Sequence, residues 1–121
     1  MAKSEGQKLK LLYIKTLLEE QSDENHPINV QQILNHLALH DITAERKSIY
    51  NDIACLQNHG MDIIHKPGRS GGYYLASREF EMPELKLLVD AVQSSRFLTS
   101  KKSMQLIEKL SRMASVHEGG L

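Results

Sequence analysis

One stretch of this chain constrains its fold more than any other, because a helix pattern in it passes directly into a hairpin pattern. Residues 43–59 place apolar side chains along one edge and polar, partly basic side chains along the other. Gly60 follows at a position where glycine commonly ends a helix in the left-handed conformation. Two strand-like stretches, 62–66 and 72–76, then flank a glycine-rich tip. The sequence therefore predicts a helix and a hairpin joined by a tight stop.

Two further helices are predicted ahead of this unit. Residues 5–20 carry a broad apolar stripe, and Asn29 suits the N-cap of a second helix. The apolar side chains of that second helix recur at helical spacing, at Val30, Ile33, Leu34, Leu37 and Ala38. After a short turn, Thr43 is the predicted N-cap of the third helix. This order predicts a mainly α (α+β) fold, a winged helix-turn-helix with three helices and a two-stranded β-hairpin wing.

The last third of the chain predicts a two-helix extension. Pro83 suits the first turn of a fourth helix, and the stretch 94–99 separates that helix from a fifth. The predicted buried stripe of the fourth helix is Leu85, Leu88, Val89 and Val92. In the fifth helix, one side is predicted to carry Met104, Ile107, Leu110 and Ala114. We therefore expect a winged helix-turn-helix DNA-binding domain at residues 1–78 and a helical linker or dimerisation extension at residues 79–121.

Composition narrows the class of protein. The 15 basic and 15 acidic residues balance to a net charge of zero, which disfavours a non-specific polyelectrolyte binder. Residues 43–78 nevertheless hold five basic residues against three acidic ones. The single cysteine excludes an internal disulfide, and no apolar run reaches the roughly 20 residues that a membrane span needs. Since the N-terminus lacks a secretory signal pattern, we expect a soluble cytoplasmic protein.

The outward face of the predicted third helix suits the major groove of duplex DNA. Arg46 and Lys47 match phosphates or guanine edges, and Asn51 matches adenine. Small Ala54 permits close approach, while the cations and glycines of the hairpin tip suit a DNA backbone or minor groove. The predicted DNA-binding residues are Thr43, Arg46, Lys47, Ser48, Tyr50, Asn51, Lys66, Arg69 and Ser70. The plainer interpretations are a solvated helix face and a flexible turn. The helix–turn–helix–hairpin context favours DNA binding over both.

A family resemblance enters at these residues. Residues 45–53, with Gly60 and residues 70–75, resemble the winged-helix domain of DeoR-type bacterial regulators. Residues 84–110 resemble the helical linker of WYL-domain transcriptional regulators. The resemblance implies a sequence-specific transcriptional regulator that binds a double-stranded DNA operator as a homodimer in the bacterial cytoplasm.

Two departures from that family pattern have consequences. Family members often carry Arg where Tyr50 and Asn51 stand, so this chain should depend less on phosphate charge and more on hydrogen bonding. The effector-sensing WYL domain that follows the linker in the family is missing from these residues. We therefore expect the N-terminal portion of a longer regulator, or a stand-alone short form.

Particular residues leave other functions to consider. A winged helix also serves as a protein–protein interaction module without specific DNA binding, and the zero net charge keeps that alternative open. A nucleotide-binding loop at 66–72 lacks the Lys-Ser/Thr ending and the following helix. His36 and His40 have zinc-ligand spacing without a clear third ligand. Cys55 has no evident base and is expected to be a structural thiol, while Asp52 is expected to pair inside the domain. We therefore expect no catalytic residue, no metal and no cofactor.

Overall fold

The computed structural model of the protein describes residues 2–118, with side chains from residue 6 onward. Within that range, five helices and one antiparallel two-stranded sheet follow one another along the chain. They are α1 (Ala2–Gln21), α2 (Val30–Leu39), α3 (Arg46–Asn58), β1 (Ile63–Lys66), β2 (Gly72–Leu75), α4 (Met82–Gln93) and α5 (Ser100–Ser111). The fold is mainly helical with a small sheet, in the winged-helix-like α+β layout that the sequence predicts. The two predicted parts, 1–78 and 79–121, include terminal residues outside the described range.

The hydrophobic core lies between α1, α2, α3 and the sheet. Its buried side chains are Ile14, Leu17, Leu18, Ile28, Val30, Ile33, Leu37, Ile42, Ile49, Ile53, Leu56, Ile63 and Leu75. Fully burying one such aliphatic side chain contributes about 1.5–3 kcal/mol. This cluster is therefore the main source of stability, and it ends at β2.

Helices α1 and α2 follow the prediction with small changes. The apolar stripe of α1 is narrower than predicted, since Leu9 and Leu12 are exposed. The N-cap of α2 is confirmed, because Asn29 Oδ1 accepts a hydrogen bond from Gln32 N at 2.8 Å and Gln32 Oε1 accepts one from Asn29 N at 2.8 Å. This reciprocal capping box closes the first turn of α2. Ala38 is exposed at the edge of the buried stripe.

The turn before α3 contradicts one predicted cap. α3 begins at Arg46, and Glu45 occupies the N-cap position without a side-chain hydrogen bond. Thr43 therefore does not cap the helix, and the predicted helix start at residue 43 is wrong. The physical reason is that Ile42 is buried and Ala44 packs against the core, so the chain stays irregular until it has passed both side chains.

The stop after α3 and the hairpin are confirmed. Gly60 adopts a φ of 114° just beyond the helix end, a conformation that glycine tolerates at little cost. β1 and β2 pair antiparallel, with Ile63 opposite Leu75 and Lys66 opposite Gly72. Each strand is one residue shorter than predicted.

A bridge fastens the hairpin to the segment before α2. Ile28 N donates to Tyr73 O at 2.8 Å, and Tyr73 N donates to Ile28 O at 2.7 Å. Gly72 crosses residue 28 so closely that a Cβ at this position would lie 2.5 Å from the carbonyl carbon of Ile28. Its φ of 152° is also one that L side chains rarely adopt. Only glycine fits there, and this fixes the base of the wing.

The last turn of α1 is closed by Ser22, which directly follows it, and by groups from distant parts of the chain. An α-helix leaves its final carbonyl groups without partners inside the helix. Here the partners are Ser22 Oγ for Leu18 (2.6 Å), Arg78 Nη1 for Glu19 (2.7 Å), Val116 N for Glu20 (2.7 Å) and His117 Nε2 for Gln21 (3.1 Å). Ser22 Oγ also accepts a hydrogen bond from Leu75 N at 3.0 Å, which ties β2 to the same helix end.

In the extension, α4 follows its predicted pattern in part. Pro83 lies in the first turn of α4, as predicted. Leu85 and Val89 are buried, whereas Leu88 and Val92 keep part of their surface exposed.

α5 packs against α4 and departs further from prediction. It ends at Ser111, so Ala114 is buried beyond the helix and not within it. Ile107 and Leu110 are half-buried, whereas Met104, predicted on the same side of the helix, is 71% exposed. Met104 is exposed because α4, which packs against α5, covers only one side of α5.

Candidate nucleic-acid interface

Helix α3 has the two faces that the sequence predicts. Ile49, Ile53 and Leu56 are buried in the core. The side chains on the opposite side are exposed: Lys47, Asn51, Ala54 and Asn58. Because the α-helix repeats every ~3.6 residues, burial of one edge fixes the outward direction of the other. The exposed row begins in the first turn of the helix.

Two cations lie in that first turn. Arg46 is exposed, and its Nη2 donates to Gln31 Oε1 of α2 at 2.9 Å. Gln31 in turn donates to Asn35 Oδ1 at 2.9 Å, so α2 holds the guanidinium beside the start of α3. Lys47 is exposed next to it. The N-terminus of a helix is itself partly positive, so this region attracts anions such as phosphates.

An ion pair with little solvent contact holds α3 against α1. Lys10 Nζ lies 2.7 Å from Asp52 Oδ2, and the two side chains are only 8% and 20% exposed. Lys10 also donates a hydrogen bond to Ser48 Oγ. The predicted pairing of Asp52 inside the domain is thereby confirmed. Ser48 and Asp52 lie one turn apart, so a single lysine fixes the rotation of α3 about its axis.

Tyr50 lies on the flank of α3, and its side chain is about half exposed. On the wing, the Tyr73 ring lies 4.9 Å from the His65 ring of β1, measured between centroids. Burial raises the pKa of Tyr73, and the Tyr50 phenol raises it further. The Tyr73 and His65 rings form an aromatic pair on the wing itself.

The tip of the hairpin carries three of the predicted residues in exposed positions: Lys66, Arg69 and Ser70. Lys66 Nζ donates to the carbonyl of Glu24 at 3.1 Å, so this lysine also tethers the hairpin. Gly68 has a φ of 106°, and Gly71 N donates to its carbonyl at 3.1 Å. These bonds form a tight turn that presents Arg69 to solvent.

The nine predicted residues are thus placed in three different ways. Seven are exposed on α3 or the wing: Arg46, Lys47, Tyr50, Asn51, Lys66, Arg69 and Ser70. Thr43 is exposed in the turn that precedes α3, three residues ahead of the helix. Ser48 is half-buried, and its hydroxyl accepts a hydrogen bond from α1, so it faces the domain interior more than solvent.

Sequence reasoning missed two residues that shape this surface. Lys10 stands four residues before Ile14, on the buried side of α1. A lysine at an apolar stripe position is a signal that the sequence does contain, because a buried ammonium requires a partner. Tyr73 carries no such signal, since its position beside Tyr50 depends on how the hairpin docks.

The other singled-out side chains lend no chemistry to the site. Cys55 is exposed, so the expectation of a structural thiol is wrong, and it lies at the outer edge beside buried Leu56. The rings of His36 and His40 lie 5.1 Å apart between centroids. Burial lowers the pKa of His36, and His40 lowers it further. In residues 2–118, no three His, Cys, Asp or Glu side chains are grouped to hold a metal.

No family model, no curated protein and no solved structure matches this chain. Of the helices in the described range, none is both long and apolar enough to cross a membrane.

Proposed function

We propose that this protein is a sequence-specific double-stranded DNA-binding transcriptional regulator, with α3 in the major groove and the wing on the backbone or minor groove. The observation that carries the proposal is the exposure of Lys47 and Asn51 on α3, opposite its buried edge, with the half-exposed Tyr50 on the flank of the helix. A major groove about 12 Å wide admits one α-helix, which reads base edges with its N-terminal residues.

Each outward side chain has a chemical role in this proposal. The amide of Asn51 donates to N7 and accepts from N6 of adenine as a bidentate pair, once its NH₂ and oxygen face the base edge. Lys47 binds a phosphate or a guanine edge, and Ala54 leaves room for the helix to approach. Arg46 contacts a phosphate, either from its position on Gln31 or after release from it.

The wing supplies binding without sequence preference. Arg69 at the tip and Lys66 at the end of β1 neutralise phosphates, and Arg69 is long enough to enter a narrow minor groove. Ser70 donates its hydroxyl to a phosphate oxygen. Because Ile53 of α3 and Ile63 of β1 are buried in the same core cluster, helix and wing bind as one surface.

The proposal includes a partner and a setting. Two copies of the chain share a roughly palindromic operator in the bacterial cytoplasm, with their recognition helices about 34 Å apart, one helical turn of DNA. The resemblance to DeoR-type and WYL-domain regulators supports this arrangement.

The alternative function is a winged helix that binds another protein. The net charge of zero favours it, because most DNA-binding domains concentrate positive charge. Two steps separate the two functions. The protein first selects duplex DNA from a random pool, and the selected duplex is then titrated at about 50 and 200 mM salt. A DNA reader loses affinity steeply at the higher salt, whereas a protein adaptor selects no sequence.

Two substitutions test the roles within the surface. Asn51→Ala should lose about 1–3 kcal/mol of discrimination between the selected site and a site in which the contacted adenine is replaced by another base. Arg69→Ala should weaken all duplexes alike and lower the salt slope by about one. Asn58→Ala, which removes the same amide two turns further along α3, is the matched control and should bind as the wild type does. Equal and uniform losses from Asn51→Ala and Arg69→Ala would refute this division of roles.

A further inference from the structure

The segment after α5 returns to the end of α1, where polar groups hold it. Within this return segment, residues 114–117, Ser115 is buried, and its hydroxyl donates to Asp23 Oδ2 at 2.8 Å. Val116 N donates to the carbonyl of Glu20 at 2.7 Å. The extension is therefore attached to α1 at its far end as well as through the chain that leads into α4.

The return segment ends in a histidine that is stacked on a second histidine. The His117 and His26 rings have centroids 3.5 Å apart and planes inclined by only 5°. His117 Nε2 lies 3.1 Å from the carbonyl oxygen of Gln21, and His26 Nδ1 lies 2.8 Å from Asp23 Oδ1. Because a carbonyl and a carboxylate only accept hydrogen bonds, each ring carries a proton on the nitrogen that faces its acceptor. Two neutral rings, with one proton each, therefore satisfy both bonds.

A second proton on each ring changes the balance of charge in the stack. Two positive charges then lie in rings 3.5 Å apart, a distance at which salt screens them little. Asp23 forms an ion pair with a protonated His26. Among the ion pairs of residues 2–118, none joins His117 to a carboxylate. Asp23 therefore neutralises only one of the two charges.

The other charged groups near the stack do not remove the excess charge. Both rings line a groove between α1 and α2 that also holds Glu20 and His36. Burial and the neighbouring His40 lower the pKa of His36, and Glu20 raises it, so the Glu20 carboxylate is shared with a third imidazole. A separate cavity on Asp23 is lined by further charged side chains, Glu24, Arg78, Glu81 and Glu118. In the groove itself, one carboxylate faces three imidazoles, and acid makes this surface positive.

We propose that the stacked His26–His117 pair is a pH-sensitive latch, which holds the return segment on the end of α1 at neutral pH and releases it when both rings are protonated. The released form binds more protons than the latched form, so its share rises as pH falls. The attachment is therefore complete above the ordinary histidine value of about 6.5 and is lost below it. Release leaves the main core folded, since its buried cluster ends at Leu75. DNA binding plays no part in this inference.

Proton uptake sets the size of the expected effect. If release binds one extra proton with the ordinary value of about 6.5, the ratio of latched to released protein falls about tenfold between about pH 7.5 and pH 5.5. Asp23 stays ionised in this range: burial opposes its ionisation, but hydrogen bonds from His26 and Ser115 hold its pKa below 3.8. The change in this range is therefore a property of the imidazoles.

Amide hydrogen exchange measured by NMR on the full chain tests the latch. The Val116 N–H is bonded to α1 only in the latched form, so its protection factor should fall about tenfold from about pH 7.5 to pH 5.5. The protection factor already corrects for the faster intrinsic exchange at higher pH. The Tyr73 N–H donates to Ile28 O outside the return segment and serves as the internal reference. Its protection should stay constant.

Three variants assign the effect to the stacked pair. His117→Gln keeps an N–H donor for the Gln21 carbonyl, and His26→Asn keeps one for Asp23, but neither new side chain takes up a proton. Each should keep Val116 protected at about pH 5.5, with less than about a twofold change over the range. His36→Gln removes an imidazole from the same groove but not from the stack. This matched control should lose protection as the wild type does.

Four results overturn the proposal. The first is a wild-type change at Val116 of less than about twofold. The second is a tenfold loss that persists in either stack variant or disappears in His36→Gln. The third is an equal loss at Tyr73, because the whole domain would then be unfolding. The fourth is a Val116 amide left unprotected at both pH values in both stack variants, since an uncharged donor would then not replace the neutral ring.

Discussion

Replacement of Lys10 by methionine tests whether the ion pair between α1 and α3 holds α3 in place. Methionine keeps the length of the side chain and removes its charge, which leaves Asp52 with a carboxylate that is only 20% exposed. Removing one partner of a buried pair costs about 3–5 kcal/mol. Because Asp52 keeps some contact with water, we expect a loss of about 2–3 kcal/mol in the free energy of unfolding. Urea unfolding measures that loss as a lower midpoint at an unchanged slope.

A second variant shows whether the loss comes from the orphaned charge. Lys10→Met with Asp52→Leu removes both charges and should recover most of the stability, since apolar replacements of buried pairs are often neutral. Lys8→Met, at an exposed position on the same helix, should change stability by less than about 0.5 kcal/mol. A wild-type midpoint for Lys10→Met would show that the pair does not fasten α3. The same conclusion follows if the double variant is the least stable of all.

Two further predictions concern stability. Gly72→Ala should lower the free energy of unfolding by about 3 kcal/mol or more, and Gly60→Ala by only about 1 kcal/mol. Both glycines have positive φ, but only a Cβ at Gly72 would strike the backbone of residue 28. Equal losses in urea unfolding would contradict this. Burial opposes ionisation of Asp23, but hydrogen bonds from His26 and Ser115 outweigh it and hold the pKa of Asp23 below its ordinary 3.8. Stability from this group is present above the ordinary value and is lost as pH falls through the lower folded value. Asp23→Asn should therefore flatten the decline of unfolding free energy between about pH 4 and pH 2, and an unchanged decline would count against the hydrogen bonds.

The order of elements could be predicted because each step has a local cause. Asn29 caps α2 within its own first turn, and Gly60 stops α3 through its own φ. The buried edge of α3 follows from helical spacing alone. These features need no knowledge of the rest of the chain, and all of them are confirmed. DNA binding, which depends on a partner, stays a prediction.

The features that could not be predicted depend on contacts between distant residues. Lys10 reaches Ser48 across 38 positions in the sequence, and periodicity does not show which buried polar groups will meet. The start of α3 depends on the burial of Ile42, which delays the helix past Thr43. Met104 has an apolar spacing, but spacing identifies a face and not what covers it. Tertiary packing decides each of these cases.

The end of α1 has a mechanical consequence for the whole molecule. Three parts of the chain are fastened to this one helical turn. They are Arg78, which leads into α4, the segment after α5, and strand β2, which is held through Ser22. If that turn unravels, the extension loses its attachment at the same moment as the wing. A force applied to the chain beyond α5 therefore loads the end of α1, where β2 of the wing is attached, before it loads α3.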